Sequence, residues 1–159
     1  MTAPVIVEPG SANIQEIQNF LEKASIESNS IKWNIVEKIV VPDEKNIISQ
    51  TLASCCENGE INLILTTGGT GYSPRDVTPE ATEAVITKRA DALITACLIE
   101  GLKTVPTAML SRAIAGIRNN TLIINMPGSP KAVRENLQVL MKGRLEHALK
   151  LMRNEPTHH

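Results

Sequence analysis

Aromatic side chains are almost missing from this chain. Phe20, Trp33 and Tyr72 make up 2% of its 159 residues, which leaves no stacking platform for single-stranded nucleic acid. An excess of either charge is missing too. Sixteen basic and 17 acidic residues give a net charge of −1, without the electrostatic footprint that nucleic acid or an anionic membrane demands. Cysteines are few: Cys55, Cys56 and Cys97. An odd count with two adjacent, no CxxC and no nearby histidine argues against a disulfide frame or a zinc site, and reads as reduced, buried thiols of a cytosolic protein. No apolar run approaches the ~20 residues of a membrane span, and the N-terminus carries no basic-then-apolar signal, so a cytoplasmic protein with neither nucleic acid nor membrane as partner is expected. His158 and His159 read as a solvated tail or tag remnant.

What is there is a 42% hydrophobic chain, enough for a single domain over residues 1–159 with a real core. APVIV at 3–7 reads as a short strand, and Ile14, Ile17, Phe20, Leu21 and Ala24 recur at helical spacing over 12–24. NIVEKIVV at 34–41 is a β-branched strand ended by Pro42, and Ile47, Ile48, Leu52 and Cys55 form one face of a helix. Ile61, Leu63, Ile64 and Leu65 belong to a strand buried on both faces. Residues 79–101 read as mostly helical with a break near Arg89 to Asp91 and a C-cap at Gly101. TAMLSRAIA at 107–115 reads as a short helix, Asn119-Asn120 as a turn and TLIIN at 121–125 as a second fully buried strand. A long helix follows, with a core stripe from Val133 through Leu137, Leu140, Leu145 and Leu149 to Met152. The alternation predicts an α/β fold: a mainly parallel sheet with helices on both faces.

The most informative stretch is LILTTGGTGYSPRDVTPEAT at 63–82. Gly68, Gly69 and Gly71 directly follow a buried strand, and without side chains their backbone N–H groups can close on a phosphate. Thr78 is a candidate N-cap and Pro79 fits the first helical turn, so a helix would begin with its positive end near the loop. The spacing matches neither GxGxxG nor GxxxxGK[ST]. A plain strand-to-helix connection would explain the glycines but not Arg75 and Asp76, charged groups that a plain turn does not need.

The junction is made twice. LIINMPG leads to Ser129-Pro130 as LILTTGGTG leads to Thr78-Pro79, and parallel strands would bring both loops to one sheet edge. Asp43, after the strand at 34–41, is either an N-cap or a cleft carboxylate. If Asp43 and Asp76 converge beside the glycines, two carboxylates near a phosphate site fit Mg²⁺, which takes one or two carboxylates together with substrate phosphates. Phosphoryl or nucleotidyl transfer then needs mainly positioning and charge neutralisation. No His, Cys or Lys in these loops reads as a nucleophile or general base.

TTGGTGYSPRDVTPEAT, with VPDE at 41–44, MLSR at 109–112, GIR at 116–118 and INMPGSPKAV at 124–133, resembles the molybdopterin adenylyltransferase family, which includes Mog, MoaB and the gephyrin G domain. The resemblance runs over 34 to about 152. It implies a three-layer α/β/α molybdopterin-binding fold, usually trimeric, that activates molybdopterin with ATP and Mg²⁺ in molybdenum cofactor biosynthesis, giving molybdopterin-AMP and pyrophosphate. It also implies a molybdate-inserting partner domain. Asp43 and Asp76 would be the catalytic and metal-holding acids. The substrate-binding set would be Thr67, Gly68, Gly69, Thr70, Gly71, Ser73, Arg75, Ser111, Asn125, Pro127, Gly128 and Ser129. The competence-damage nucleotide hydrolases share a GG-x-G loop, but PRDVTPEAT and MLSR point away from them.

The opening differs from the family. Members begin with a strand ending in a Ser-Asp turn and reach Asp-x-Ser-Gly before the first helix. MTAPVIVEPGSANIQ has neither, and offers Glu8, Gly10 and Ser11 instead. Residues 1–30 are therefore divergent or truncated, which implies a weakened nucleotide side. The alternative to a working enzyme is a trimeric molybdopterin-binding or scaffold domain.

Overall fold

Leu63–Thr67, buried at every position, forms β3 near the middle of a six-stranded sheet. The computed structural model of the protein describes residues 2–8, 12–27, 32–143 and 145–155. Around β3 the chain builds β1 (Thr2–Glu8), α1 (Ala12–Glu27), β2 (Asn34–Val40) and α2 (Lys45–Glu57) before it, then α3 (Thr78–Glu83), β4 (Lys88–Arg89) and α4 (Asp91–Leu102). A 3₁₀ helix (Pro106–Leu110), β5 (Ala115–Arg118), β6 (Thr121–Met126), α5 (Pro130–Lys142) and α6 (Leu145–Met152) complete it. The strand order is β2-β1-β3-β6-β5-β4. β2, β1, β3 and β6 are parallel, while β5 runs antiparallel to β6 and β4 antiparallel to β5.

The two sheet faces carry separate cores. Ile17 and Leu21 of α1, Cys97 of α4, Val133 and Leu137 of α5 and Leu145 and Leu149 of α6 pack against Leu63, Leu65, Leu122 and Ile124. Ile48, Leu52, Cys55 and Cys56 of α2 and Ala81 of α3 cover Ile64 and Ile123 from the other side. Alternate residues of β3 and β6 thus feed opposite layers, as a strand's period of two requires. The result is the expected three-layer α/β/α arrangement with a mainly parallel sheet. β2 is an edge strand and largely exposed.

Three local readings are corrected. The helix expected over 107–115 is a 3₁₀ turn at 106–110 followed by an extended segment and then β5. Its end is a strand because it pairs with β6 across the Asn119-Asn120 turn, where Asn119 takes φ +53, and because Gly116 packs closely: a Cβ there would lie 2.5 Å from Ile86 Cδ1. The break expected near 89–91 is present, begins earlier at 84, and contains β4. Gly101 lies inside α4, whose C-cap is Lys103; a Cβ at Gly101 would meet Ala108 Cβ at 3.4 Å, an ordinary contact. The long final helix is two helices, since α5 ends at Gly143. The core stripe nevertheless continues through both.

Candidate functional site

β3 and β6 run side by side, with Thr66 opposite Asn125 and Thr67 opposite Met126. The glycine loop after β3 and the Pro127-Gly128 turn after β6 therefore leave the sheet together. They touch: a Cβ on Gly128 would lie 3.6 Å from the Gly68 Cα. Asn13, in the first turn of α1, ties them, its amide nitrogen donating to the Gly128 carbonyl at 3.0 Å and to Thr67 Oγ1 at 3.4 Å. Asn13 Oδ1 is buried and accepts no hydrogen bond.

Gly68 and Gly69 take φ +77 and +65, the left-handed region that glycine enters without penalty. The Gly69 carbonyl accepts from the Thr78 N–H at 3.1 Å. Thr78 is itself the first residue of α3 and caps nothing with its side chain; Val77 precedes it as N-cap. Its hydroxyl occupies the space a Gly69 Cβ would need, so the expected capping role is replaced by a packing one. Ser129 does act as the expected cap, accepting from the Ala132 N–H at 3.3 Å.

Asp76 faces the loop. Its Oδ2 accepts from the Ser73 N–H at 3.0 Å and sits where a Gly71 Cβ would be 2.9 Å away. Arg75 reaches the carboxylate of Asp43 at 3.5 Å, a loose pair with the Arg75 side chain 83% exposed. Asp43 caps no helix: Glu44 is the N-cap of α2, without a side-chain bond. Of its two expected roles, the N-cap is therefore not realised, and the carboxylate stands beside Arg75 of the PRD turn. Tyr72 stands 67% exposed on the loop.

A cleft of about 300 Å³ opens on the α4–α5 side of the loops. Thr70, Ser111, Pro127 and Ser129 line it, opposite apolar residues of α4 and the 3₁₀ helix such as Leu98, Val105 and Ala108. Four of the expected substrate residues thus share one cavity. Asp43, Ser73, Arg75 and Asp76 lie outside its lining, reached across the same glycine loop. Thr67 and Asn125 are buried beneath it. The Asn125 amide donates to Thr66 and Thr82 hydroxyls at 2.9 Å and accepts from the Ile114 N–H at 3.1 Å. Its polar capacity is used inside the fold, so it anchors the 111–114 segment and does not line the cleft. No described thiol is poised as a nucleophile: burial pushes Cys55 and Cys97 up to about 11.

Arg112 is the residue that sequence reasoning passed over. Its N–H donates to the Thr70 carbonyl at 2.8 Å, Nε to the Gly71 carbonyl at 2.7 Å and Nη2 to the Asp76 carbonyl at 2.7 Å, while Nη1 pairs with Glu80. One guanidinium thereby fastens the glycine loop, the PRD turn and α3 to the segment carrying Ser111. Its place beside Ser111 in MLSR was the available signal; nothing in the spacing foretold three carbonyl partners.

Arg112 also holds the Glu80 carboxyl below its ordinary value of 4.5, chiefly through their hydrogen bond, against the opposing effect of burial. A depressed folded pKa means the contribution is complete above the unfolded value and is lost as pH falls through the depressed one. Acid should therefore open this clamp only below pH 4.5. Glu80→Gln should be less stable at neutral pH and show a flatter stability curve in that acid range, as read by denaturant midpoints; an unchanged acid slope would refute the clamp.

Residues 14–147 match the family described as a probable molybdopterin binding domain. Gephyrin of Dictyostelium discoideum is 45% identical over 151 residues, which is 95% of this chain but 21% of that protein. The molybdopterin adenylyltransferase of Haemophilus influenzae is 40% identical over 138 residues, 82% of this chain and 68% of the relative. That of Helicobacter pylori strain 26695 is 48% identical over 101 residues, 64% and 57% of the two. The chain thus spans about a fifth of the gephyrin and little over half of the Helicobacter enzyme. Among solved structures, the molybdopterin biosynthesis enzyme MoaB of Thermus thermophilus superposes with a TM-score of 0.84 at 32% identity over 98% of both chains. The Mog protein of Mycobacterium ulcerans gives 0.86 at 34%, covering 97% of this chain and 98% of its own.

Proposed function

The chain belongs to the molybdopterin-binding domain family, and we propose on that footing that it adenylylates molybdopterin with ATP, as the names of its bacterial relatives suggest. The observation that supports this most is the single cleft shared by Thr70, Ser111, Pro127 and Ser129, bounded by the loop whose far side meets Asp76. In the reaction, an oxygen of the molybdopterin phosphate attacks the α-phosphorus of ATP. The new P–O bond forms as the bond to the β-phosphoryl oxygen breaks, and pyrophosphate leaves with the electron pair. A phosphate nucleophile needs no base, in keeping with loops that offer none.

The chain's part is to bind and orient. Backbone N–H groups of Gly68 to Gly71, with Ser73 and Arg75, suit phosphate oxygens, and Arg112 keeps that loop rigid. Pro127 and Ser129 close the other side of the cleft. Mg²⁺ fits as an ion shared with substrate: among the described residues no group of three or more ligating side chains occurs, Asp43 is paired loosely with the exposed Arg75, and no hydrogen bond falls on Asp76 Oδ1. Asp43 and Asp76 would hold it, and it would neutralise the triphosphate charge.

Exposed Ile99, Leu102, Met109 and Leu110 on and beyond α4 suit a buried contact between copies, and we assign the chain to a homotrimer. The gephyrin likeness favours a molybdate-inserting partner domain downstream. No helix among the described residues is long and apolar enough to cross a membrane.

ATP-dependent pyrophosphate release with molybdopterin present tests the reading. Molybdopterin binding without release would leave a binding domain. The opening segment makes a further prediction. The Ser-Asp turn and Asp-x-Ser-Gly loop are absent, and Gly10 and Ser11, which stand in their place, lie outside the described residues. Loss of two or three hydrogen bonds to the nucleotide costs roughly 2–6 kcal/mol, which moves a micromolar site toward millimolar. Titration calorimetry with each ligand should show molybdopterin binding firmly and ATP weakly; low-micromolar ATP binding would show the altered opening to be harmless.

A further inference from the structure

The cleft has two chemically different ends. α5 starts at its Ser129 cap, and Ser129, Ala132, Glu135 and Asn136 all line the cavity, so one face of the helix forms a wall. At ~1.5 Å rise per residue, Glu135 lies roughly 9 Å along the axis from Ser129. The first end carries hydroxyls, the Gly128 turn and the helix N-terminus, which suit an anion. The second carries Glu135, the one carboxylate among the described lining residues. The wall facing them is apolar, with Ile94, Leu98 and Val105.

Glu135 is not used up by its surroundings. Its side chain is 33% exposed, and its pairing with Lys131 at 3.8 Å is long and formed with a lysine 71% exposed, the kind of ion pair worth little. Cys97, also in the lining, is held neutral by burial and turns its Sγ toward the Asn136 carbonyl at 3.9 Å. Glu135 is therefore the charged acceptor available at this end, with the neutral Asn136 amide beside it.

If the cleft takes molybdopterin, as proposed above, its two ends match that molecule's two ends. The phosphate is at one extremity; at the other the pterin ring presents its 2-amino group and N3–H side by side. Two parallel N–H donors are what a carboxylate accepts in bidentate fashion. We infer that Glu135 is a specificity-determining residue that reads the amino-pyrimidine edge of the pterin while the glycine loops hold the phosphate. A ring with oxygen in place of the 2-amino group would set oxygen against the carboxylate, and discrimination of that kind is large because it leaves buried polar groups mismatched.

Competition against bound molybdopterin tests this with 6-hydroxymethylpterin and 6-hydroxymethyllumazine, which differ at that one position. The wild-type protein should prefer the pterin at least tenfold. Glu135→Gln should lose or reverse the preference, because its amide can donate to the 2-oxo group, while its thermal midpoint stays unchanged. Glu135→Asp should keep the direction of preference with a smaller ratio. Equal competition by both probes in the wild type, or an unchanged ratio in Glu135→Gln, overturns the assignment of Glu135 and leaves the cleft reading intact. Failure of the wild type to bind molybdopterin at all overturns the cleft reading, and this inference with it.

Discussion

Asp76→Asn should lower the turnover number by about 10²–10³-fold while leaving molybdopterin affinity within about threefold, the size of loss expected when a charge-stabilising group is removed from a transition state. The substitution isolates charge from shape. Asparagine keeps an oxygen for the Ser73 N–H that Oδ2 now accepts at 3.0 Å, and the Asp76 carbonyl that Arg112 grips is main chain and untouched. The loop should therefore survive, and with it the cleft lined by Thr70 and Ser111. What disappears is one negative charge beside the glycine loop, where the proposed triphosphate would lie. The check is a split between kinetic constants: pyrophosphate release falling at saturating substrate, with calorimetric affinity for molybdopterin preserved. Affinity falling in parallel with turnover would mean that Asp76 acts by shaping the loop. Full activity would remove it from the catalytic set.

The contrast between Asp76 and Asn125 shows what the sequence could and could not disclose. Buried strands, glycine loops and the alternation of elements are local signals, and they led correctly to a three-layer fold with two loops meeting at one sheet edge. The neighbouring positions of Thr70, Pro127 and Ser129 followed from that topology, whereas Ser111 came only from the family resemblance of MLSR. Asn125 looked like a cleft residue because it precedes the Pro-Gly turn. A strand of period two, however, sends every second side chain away from any given surface, and its amide is satisfied by Thr66, Thr82 and Ile114. Arg112 was hidden for the opposite reason. Three of its four partners are the main-chain carbonyls of residues 70, 71 and 76, which leave no mark in a sequence. β5 was misread because Ala115 to Arg118 is too short to display a period, and only pairing with β6 decides it. Thr78 was assigned a cap by its position before Pro79, whereas close packing on Gly69 sets its role.

That packing yields the largest expected loss of stability. Gly69→Ala should destabilise the protein by about 2–4 kcal/mol, from two separable sources. The first is the backbone: φ +65 places a Cβ in the left-handed region, at a cost of about 1–2 kcal/mol. The second is overlap, since the new Cβ would lie 2.3 Å from Thr78 Oγ1 and 3.3 Å from Thr78 Cβ. Thr78 cannot easily retreat, because it is buried and its N–H is bonded to the Gly69 carbonyl. At ~2–4 °C per kcal/mol for a chain of this size, the melting midpoint should fall by roughly 4–16 °C. Gly59→Ala provides the control. Gly59 has φ +75 but nothing within 4 Å of its Cβ position, so it carries the backbone cost alone. The difference between the two variants measures the contact. Combining Gly69→Ala with Thr78→Ala should recover part of that difference, because the hydroxyl at 2.3 Å is removed while a Cβ at 3.3 Å remains. Molybdopterin binding should weaken in Gly69→Ala even below its melting point, since a displaced loop carries Thr70 out of the cleft wall. Equal melting points for Gly69→Ala and Gly59→Ala would show that the loop yields freely at Thr78, and the tight junction between glycine loop and helix would then not be what fixes the site.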